Sequence, residues 1–323
     1  MSVGYQDETP LTERLTLRFG TFFDSLTLRT RMSQWSPYGQ LTYTSGERAR
    51  WTFAYTAAAP RLLPSGPGTD TSTMAGLLAI PQVSSRAGSF VAGLPHTALE
   101  AGKHVEAGWE RSLGARYQFR AATFYDALSD VALSVSAYNG ALFPAGLLKD
   151  PFSNTHFLDG GNFSMAGARA VMGTRLWRTA ELILGYSYAG GLQAVSHDLT
   201  AENSQALRDT LRAQREHSFV VKLRSTLPWT RTEVITSYKW LPRNTVIPGD
   251  PYDNGPGRSE PYLNAALVQP LPSYGILPGH FQAIAHFTNL LAQGYVPIHG
   301  PDGSTSYFFP SARSFRGGFS FVF

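Results

Sequence analysis

Segments in which apolar and polar residues alternate recur from one end of this 323-residue chain to the other. A period of two confines such segments to β-strands, with one face unlike the other. In "GHFQAIAHFT", Phe281, Ala283, Ala285 and Phe287 share one face, and His280, Gln282, His286 and Thr288 the other. "SFVVKLRSTL" sets Phe219, Val221, Leu223 and Leu227 against Ser218, Lys222 and Arg224. "RYQFRAATFYD" sets Tyr117, Phe119, Ala121 and Tyr125 against Arg116, Gln118, Arg120 and Asp126. "RLTLRFG", "RARWTFAYT", "HVEAGWE", "AELILGYSY" and "TEVITSYKW" obey the same rule, the last with Ile235 as an apolar exception on its polar side. Weaker runs at 36–44, 162–173 and 262–270 and the terminal run 313–323 bring the expected total to about twelve strands, with residues 1–22 already reading as strand.

A soluble antiparallel sheet with one wet face has this period too. Mid-strand charges such as Arg18, Glu106, Arg120, Glu181 and Lys222 suit either a wet face or a wet barrel interior. Connection lengths separate the two. Short links near 45–47, 112–115, 174–177, 228–230 and 271–278 alternate with long ones at 24–35, 58–102, 127–161, 189–215, 241–261 and 289–312. In a meander this rhythm puts every long loop at one end, as in membrane barrels, whereas long structureless loops are uncommon in compact domains. Aromatics point the same way: of 20 Phe, 15 Tyr and 6 Trp, many fall on apolar faces near strand ends, where an amphipathic ring sits between headgroup and hydrocarbon. The expected fold is an all-β, antiparallel transmembrane β-barrel. Trp51, Trp109, Tyr117, Tyr238 and Trp240 form its lipid-facing girdle, and Arg120, Glu181 and Lys222 are candidates for its lumen wall.

Other classes are excluded or left without support. No apolar run reaches the roughly 18 residues of a spanning helix. Cysteine is absent, which removes disulfides and thiolate chemistry, and a formal charge of +4 spread along the chain does not indicate nucleic acid. No nucleophile elbow, zinc-protease or phosphate-loop motif is present, so no enzyme activity and no cofactor are expected. His280 and His286 share a face but stand about 20 Å apart along a strand, too far for one metal. Asp250, Asp253 and Asn254 in "PGDPYDNGPG" lack the spacing of a calcium loop, and that segment reads as turns. In "TAENSQALRDTLRAQRE", Leu207 and Leu211 at helical spacing suggest a short surface helix in a loop.

"LEAGKHVEAGWERSLGARYQFRAATFYDALSD", residues 99–130, resembles a barrel segment of TonB-dependent outer-membrane receptors, with its Leu-x-x-x-Lys approach, Glu-x-Gly step, tight turn and aromatic strand. "LVQPLPSYGILPGHFQAIAHFTNLLAQGYVP" and "FPSARSFRGGFSFVF" resemble the last three strands of the members that carry an N-terminal carboxypeptidase-regulatory-like module, with Asn289 at the Asn of a recurrent aromatic-x-Asn-hydrophobic step. The resemblance implies a location in a Gram-negative outer membrane, contact with its lipid, and recognition of Phe319, Phe321 and Phe323 by the barrel-assembly machinery. It also implies uptake of a scarce small ligand. Family barrels have about 22 strands and enclose a plug preceded by a TonB-contacting box. Neither plug nor box is found in residues 1–323, so the expectation is the C-terminal portion of such a barrel, dependent on the TonB complex only if plug and box lie upstream. A structural or adhesive barrel without transport is the alternative expectation. The ligand's identity is not encoded in any motif.

Overall fold

A computed structural model describes residues 2–27, 31–57, 90–92, 97–114, 116–137, 148–149, 155–201, 204–250, 259–271 and 280–322. Numbered in chain order, its strands are β1 (Ser2–Thr12), β2 (Leu15–Thr27), β3 (Arg31–Ser45), β4 (Ala49–Ala57), β5 (Phe90–Ala92), β6 (Thr97–Leu99), β7 (Ala101–Leu113), β8 (Tyr117–Ser129), β9 (Ala132–Ala137), β10 (Leu148–Lys149) and β11 (Thr155–Asp159). They continue as β12 (Phe163–Trp177), β13 (Ala180–Ala194), β14 (Leu199–Thr200), β15 (Leu211–Thr226), β16 (Glu233–Trp240), β17 (Thr245–Ile247), β18 (Tyr262–Leu271), β19 (His280–Thr288), β20 (Val296–His299), β21 (Thr305–Phe308) and β22 (Ser314–Val322), with one described helix, α1 (Ser204–Asp209).

The fold is all-β. A fourteen-stranded sheet follows the path β1-β2-β3-β4-β7-β8-β12-β13-β15-β16-β18-β19-β22, with β17 joining β13 beside it. Every neighbour on this path is antiparallel, as alternation with short turns requires. Two expectations need correction. Residues 1–22 are not one strand but most of a hairpin, in which Ser2 pairs with Asp24 and Thr12 with Leu15, giving one more path strand than the expected twelve. The 24–35 link is mostly strand, since β2 pairs with β3 from Leu15↔Tyr43 to Thr27↔Arg31. Charged residues that break the alternation there do not break the backbone ladder.

Tight turns are closed by Gly46 and Gly114, at φ 69° and 70°, values that other residues adopt at a cost. The described parts of the long links after β8, β13 and β19 fall at one end and are folded; most of the 58–102 link and the short 272–278 link lie outside the described residues. Segments after β8, β13 and β19 build a second sheet, β10-β11-β9-β21-β20-β14, so the chain is not antiparallel throughout: β14 runs parallel to β20. This cap has a dry core of Val131, Leu133, Leu158, Leu199, Ile298 and Phe308, all at most 2% exposed. Helix α1 belongs to it. Its Leu207 (1%) faces that core, so the helix is packed on the cap and not a free surface helix; Leu211 (6%) faces the same core but opens β15, so the helix ends before it. Arg208 ties it down through Asp159, at 3.1 Å. Partial burial and the neighbouring Asp159 carboxylate push Asp130 above the usual carboxylate range.

Ile235, the exception in the alternation, packs inward against Val268 and Ile284. An apolar residue on the polar face is thus matched by two others on neighbouring strands. Where β19 ends, Asn289 adopts φ 48° and is fully buried. Its amide donates to the Gln293 and Ser311 carbonyls, both at 2.9 Å, its side-chain oxygen accepts from Gln293 N at 2.9 Å, and its own N–H donates to Asn264 Oδ1. Asn tolerates the left-handed backbone and carries donor and acceptor in one small group. Asn289→Ala removes the three side-chain bonds and leaves the buried Ser311 carbonyl and the part-buried Gln293 backbone without them, so a loss on the order of 2–4 kcal/mol is expected. The shift in urea midpoint of the refolded chain, set against that of Thr44→Ala at an exposed and distant position, measures it.

Candidate functional site: the inner polar face

The two faces of the main sheet are inverted relative to a water-soluble protein. On one face Asp126 is 0% exposed, His104 4%, Arg169 and Glu216 5% and Glu106 6%; on the other Phe219 and Val105 are 50% exposed, Tyr125 49% and Val221 46%. Charged residues are almost never buried without partners, and here they are paired. Strand alternation places His104 and Glu106 of β7, Arg120 and Asp126 of β8, and Arg169 of β12 on the inner face, and ladder register brings them together.

His104 stands opposite Asp126, with Nδ1 2.5 Å from Oδ1, and its Nε2 lies 3.4 Å from Glu106 Oε2. Arg120 donates to Glu106 Oε1 at 2.9 Å. Arg169 donates to Glu106 Oε2 with one amino group and to Asp250 Oδ2 with the other, its guanidinium 5.6 Å from the centre of the Phe124 ring. One cation therefore joins the sheet to a segment that enters from the β16–β18 connection.

That segment, 241–250, is a strap across the inner face. Beyond Ala189, β12 no longer pairs with β13, and β17 takes the vacated edge, with Leu192↔Ile247 and Gln193↔Thr245. Glu216 fastens it: the carboxylate accepts from Gln193 Nε2 at 2.7 Å, Thr245 Oγ1 at 2.8 Å and Gly249 N at 3.4 Å. Close approach requires glycine. A Cβ at Gly249 would lie 2.7 Å from both Ala189 Cβ and the Gly190 carbonyl oxygen.

The sequence-expected residues fall in three groups. Arg120 enters the network, while Glu181 and Lys222 lie nearer the short turns, where Glu181 is opposite Arg224, which itself pairs with Glu233. Trp51 (45% exposed), Trp109 and Tyr117 (49%) sit on the outer face towards the short turns, with Trp51 opposite Trp109 and their rings 6.2 Å apart. Tyr238 and Trp240 (42%) end β16 towards the long links. Phe319 is 79% exposed on β22, and Phe321 is opposite Phe281. Phe323, Asp253 and Asn254 lie outside the described residues. Asp250 belongs to an ion pair with Arg169 and not to a calcium loop. Sequence reasoning missed Arg169, Glu216 and the strap. The one available signal was a single charge in "FSMAGARAVMG", whose position on the inner face only register reveals.

No family model matches the chain, and no curated protein matches its sequence. Among solved structures, the siderophore receptor PirA from Pseudomonas aeruginosa is similar over 99% of this chain and 48% of its own, at 10% identity and a TM-score of 0.40. Two mutants of the ferric enterobactin receptor PfeA from the same organism are similar over 95% of this chain and 43% and 44% of theirs, at 11% and 12% identity and a TM-score of 0.41. The chain thus spans less than half the length of each. A likeness this distant does not transfer function.

Arg169→Met leaves Glu106 and Asp250 as buried carboxylates sharing one lost partner. The expected cost is about 3–5 kcal/mol, since breaking a buried pair strands the remaining charge. Adding Asp250→Asn recovers part of it. A double-mutant cycle on urea-unfolding midpoints checks both, and additive losses would show that the pair is not coupled.

Proposed function

We propose that this chain is an outer-membrane β-barrel segment whose apolar face meets lipid and whose charged face lines a polar interior open to a small ligand. The observation that carries the proposal is the inversion of the two faces. A soluble sandwich of the same period would bury Phe219, Val221 and Leu223 and expose Arg169 and Glu106, whereas the former are 50%, 46% and 39% exposed and the latter 5% and 6%. Soluble monomers rarely expose so continuous an apolar surface.

Its dimensions support the same reading. Large aromatics are exposed near the short turns at Tyr43, Trp51, Tyr117, Trp177 and Trp229, and towards the long links at Trp35, Tyr125, Tyr186, Tyr188 and Trp240. Leu227 follows β15 at the first level, and His217, opposite Tyr188, lies at the second. Ten steps of about 3.4 Å, tilted by about 40°, span roughly 26 Å, close to the apolar band of about 25 Å in such barrels. Among the described residues β1 and β22 each pair on one side only. Unpaired backbone groups cannot stand in hydrocarbon, so these edges call for further strands or for each other.

Receptor and uptake activity, with energy from a TonB complex acting on a plug, rests on the family resemblance of residues 99–130 and of the last three strands. The structural or adhesive alternative draws on a different observation: the strap and its ion pairs occupy the inner face, and the cap has its own packed core. Detection of a plug and TonB box in the same reading frame, followed by loss of ligand accumulation when the box is deleted, selects the first reading. Uptake that persists without the box contradicts it.

Two substitutions separate membrane contact from assembly. Phe219→Asp puts a charge against lipid. Its cost is expected to stay below the roughly 2–4 kcal/mol of a basic residue at the midplane. Deletion of Phe323 should instead lower the yield in the membrane fraction while leaving the heat-modifiable mobility of the assembled protein unchanged. Equal membrane yields for parent and deletion remove the assembly role of the terminal aromatics, and a parent found in the soluble fraction removes the barrel reading.

A further inference from the structure

Beside Arg169 a cleft opens on the inner face. Its polar lining is Arg169, Ser187, Ser218, Lys239 and Asp250, with the backbone of Gly249 at one side. Arg169, Ser187 and Ser218 are not a chance grouping: they stand directly opposite one another on β12, β13 and β15. Lys239 projects from the same face of β16, opposite Val220. Two cations and two hydroxyls thus converge, and Asp250 is the only acidic residue in the lining among the described residues. It is also the only one of these charged groups that does not come from the main sheet.

Asp250 reaches the cleft on the strap, which is fastened to β13 by two register pairs and to β15 through Glu216. With its carboxylate withdrawn, the cleft presents to an incoming anion the Arg169 amino group that Asp250 had held, an ammonium and two hydroxyl donors. A guanidinium N–H gives a carboxylate a charge-assisted hydrogen bond, about twice as strong as a neutral one. Glu106, bonded to the other amino group of Arg169, holds the guanidinium in place whichever carboxylate occupies the cleft.

We propose that this cleft is a carboxylate-binding site whose built-in occupant is Asp250, so that entry of a carboxylate ligand and release of the strap are one exchange. The proposal names the ligand class for the interior described under Proposed function, but it is testable in detergent whether or not the chain transports anything. Arg243 supplies the readout, because it is an exposed tryptic site within the strap, next to residues that are buried while the strap is docked.

The test uses the full chain folded in detergent, with succinate as the probe and sodium chloride at matched ionic strength as the control. Cleavage after Arg243 is followed by fragment mass. In the parent, cleavage should rise with succinate and saturate, and chloride should not reproduce the rise. Asp250→Asn should be cut about tenfold faster without succinate and bind succinate about tenfold more tightly, because a competing closed state has been removed. Arg169→Gln in the Asp250→Asn background should abolish succinate binding. No saturable response in the parent overturns the proposal even if both variants fail to fold. Faster cleavage of Asp250→Asn without succinate binding also overturns it, since Asp250 would then be a structural tie alone, and so does an equal response to chloride.

Discussion

A charge taken out of water must find its countercharge, and the interior of this protein is organised around that requirement. Arg169 is 5% exposed and has Glu106 on one side and Asp250 on the other. Through Glu106 it is linked to Arg120 and His104, and through His104 to Asp126. Coulomb attraction alone rarely repays the desolvation of such groups, and removing one member strands the others. The pairing therefore fixes where neighbouring strands and the strap sit with respect to one another more than it adds to stability. Hydrogen-bonded Glu216 does the same further along the strap.

Outside this polar belt the long links solve a different problem. Each is too short to fold alone, yet segments from after β8, β13 and β19 add strands to one small sheet and bury Leu133, Leu199, Ile298 and Phe308 together. Asn289 anchors the last of these segments at the point where it leaves β19, by bonding to Gln293 and Ser311. Segments that share a hydrophobic core hold a defined shape that none of them would hold alone.

Strands and their faces were legible because alternation is local. Phe219, Val221 and Leu223 lie on one face, and Ser218, Lys222 and Arg224 on the other, whatever the strands pair with. Among the described residues the alternation of short and long links was equally legible, apart from the 24–35 region, where Asp24 and Arg31 sit within paired strands. Contacts that depend on register were not. Arg169 meets Asp250 across 81 residues of sequence, and the strap reaches β13 by passing over the inner face beside β15 and β16, which no run of residues announces. Leu207 of α1 and Leu211 at the start of β15 showed helical spacing, but their burial depends on a cap assembled from distant segments.

The central claim is that the outer face of the sheet contacts lipid and the inner face does not. Because the chain contains no cysteine, single spin labels can be placed without background. Phe219→Cys, Val221→Cys and Leu223→Cys on the outer face, and Ser218→Cys, Val220→Cys and Lys222→Cys on the inner face, give six labelled proteins for reconstitution into phospholipid vesicles. Collision with oxygen, which concentrates in hydrocarbon, and with a water-soluble nickel chelate is then measured for each by electron paramagnetic resonance. The account predicts a period of two, with high oxygen and low nickel accessibility at 219, 221 and 223 and no such oxygen excess at 218, 220 and 222. Equal accessibility on the two faces, or nickel contact along the whole outer row, would contradict it.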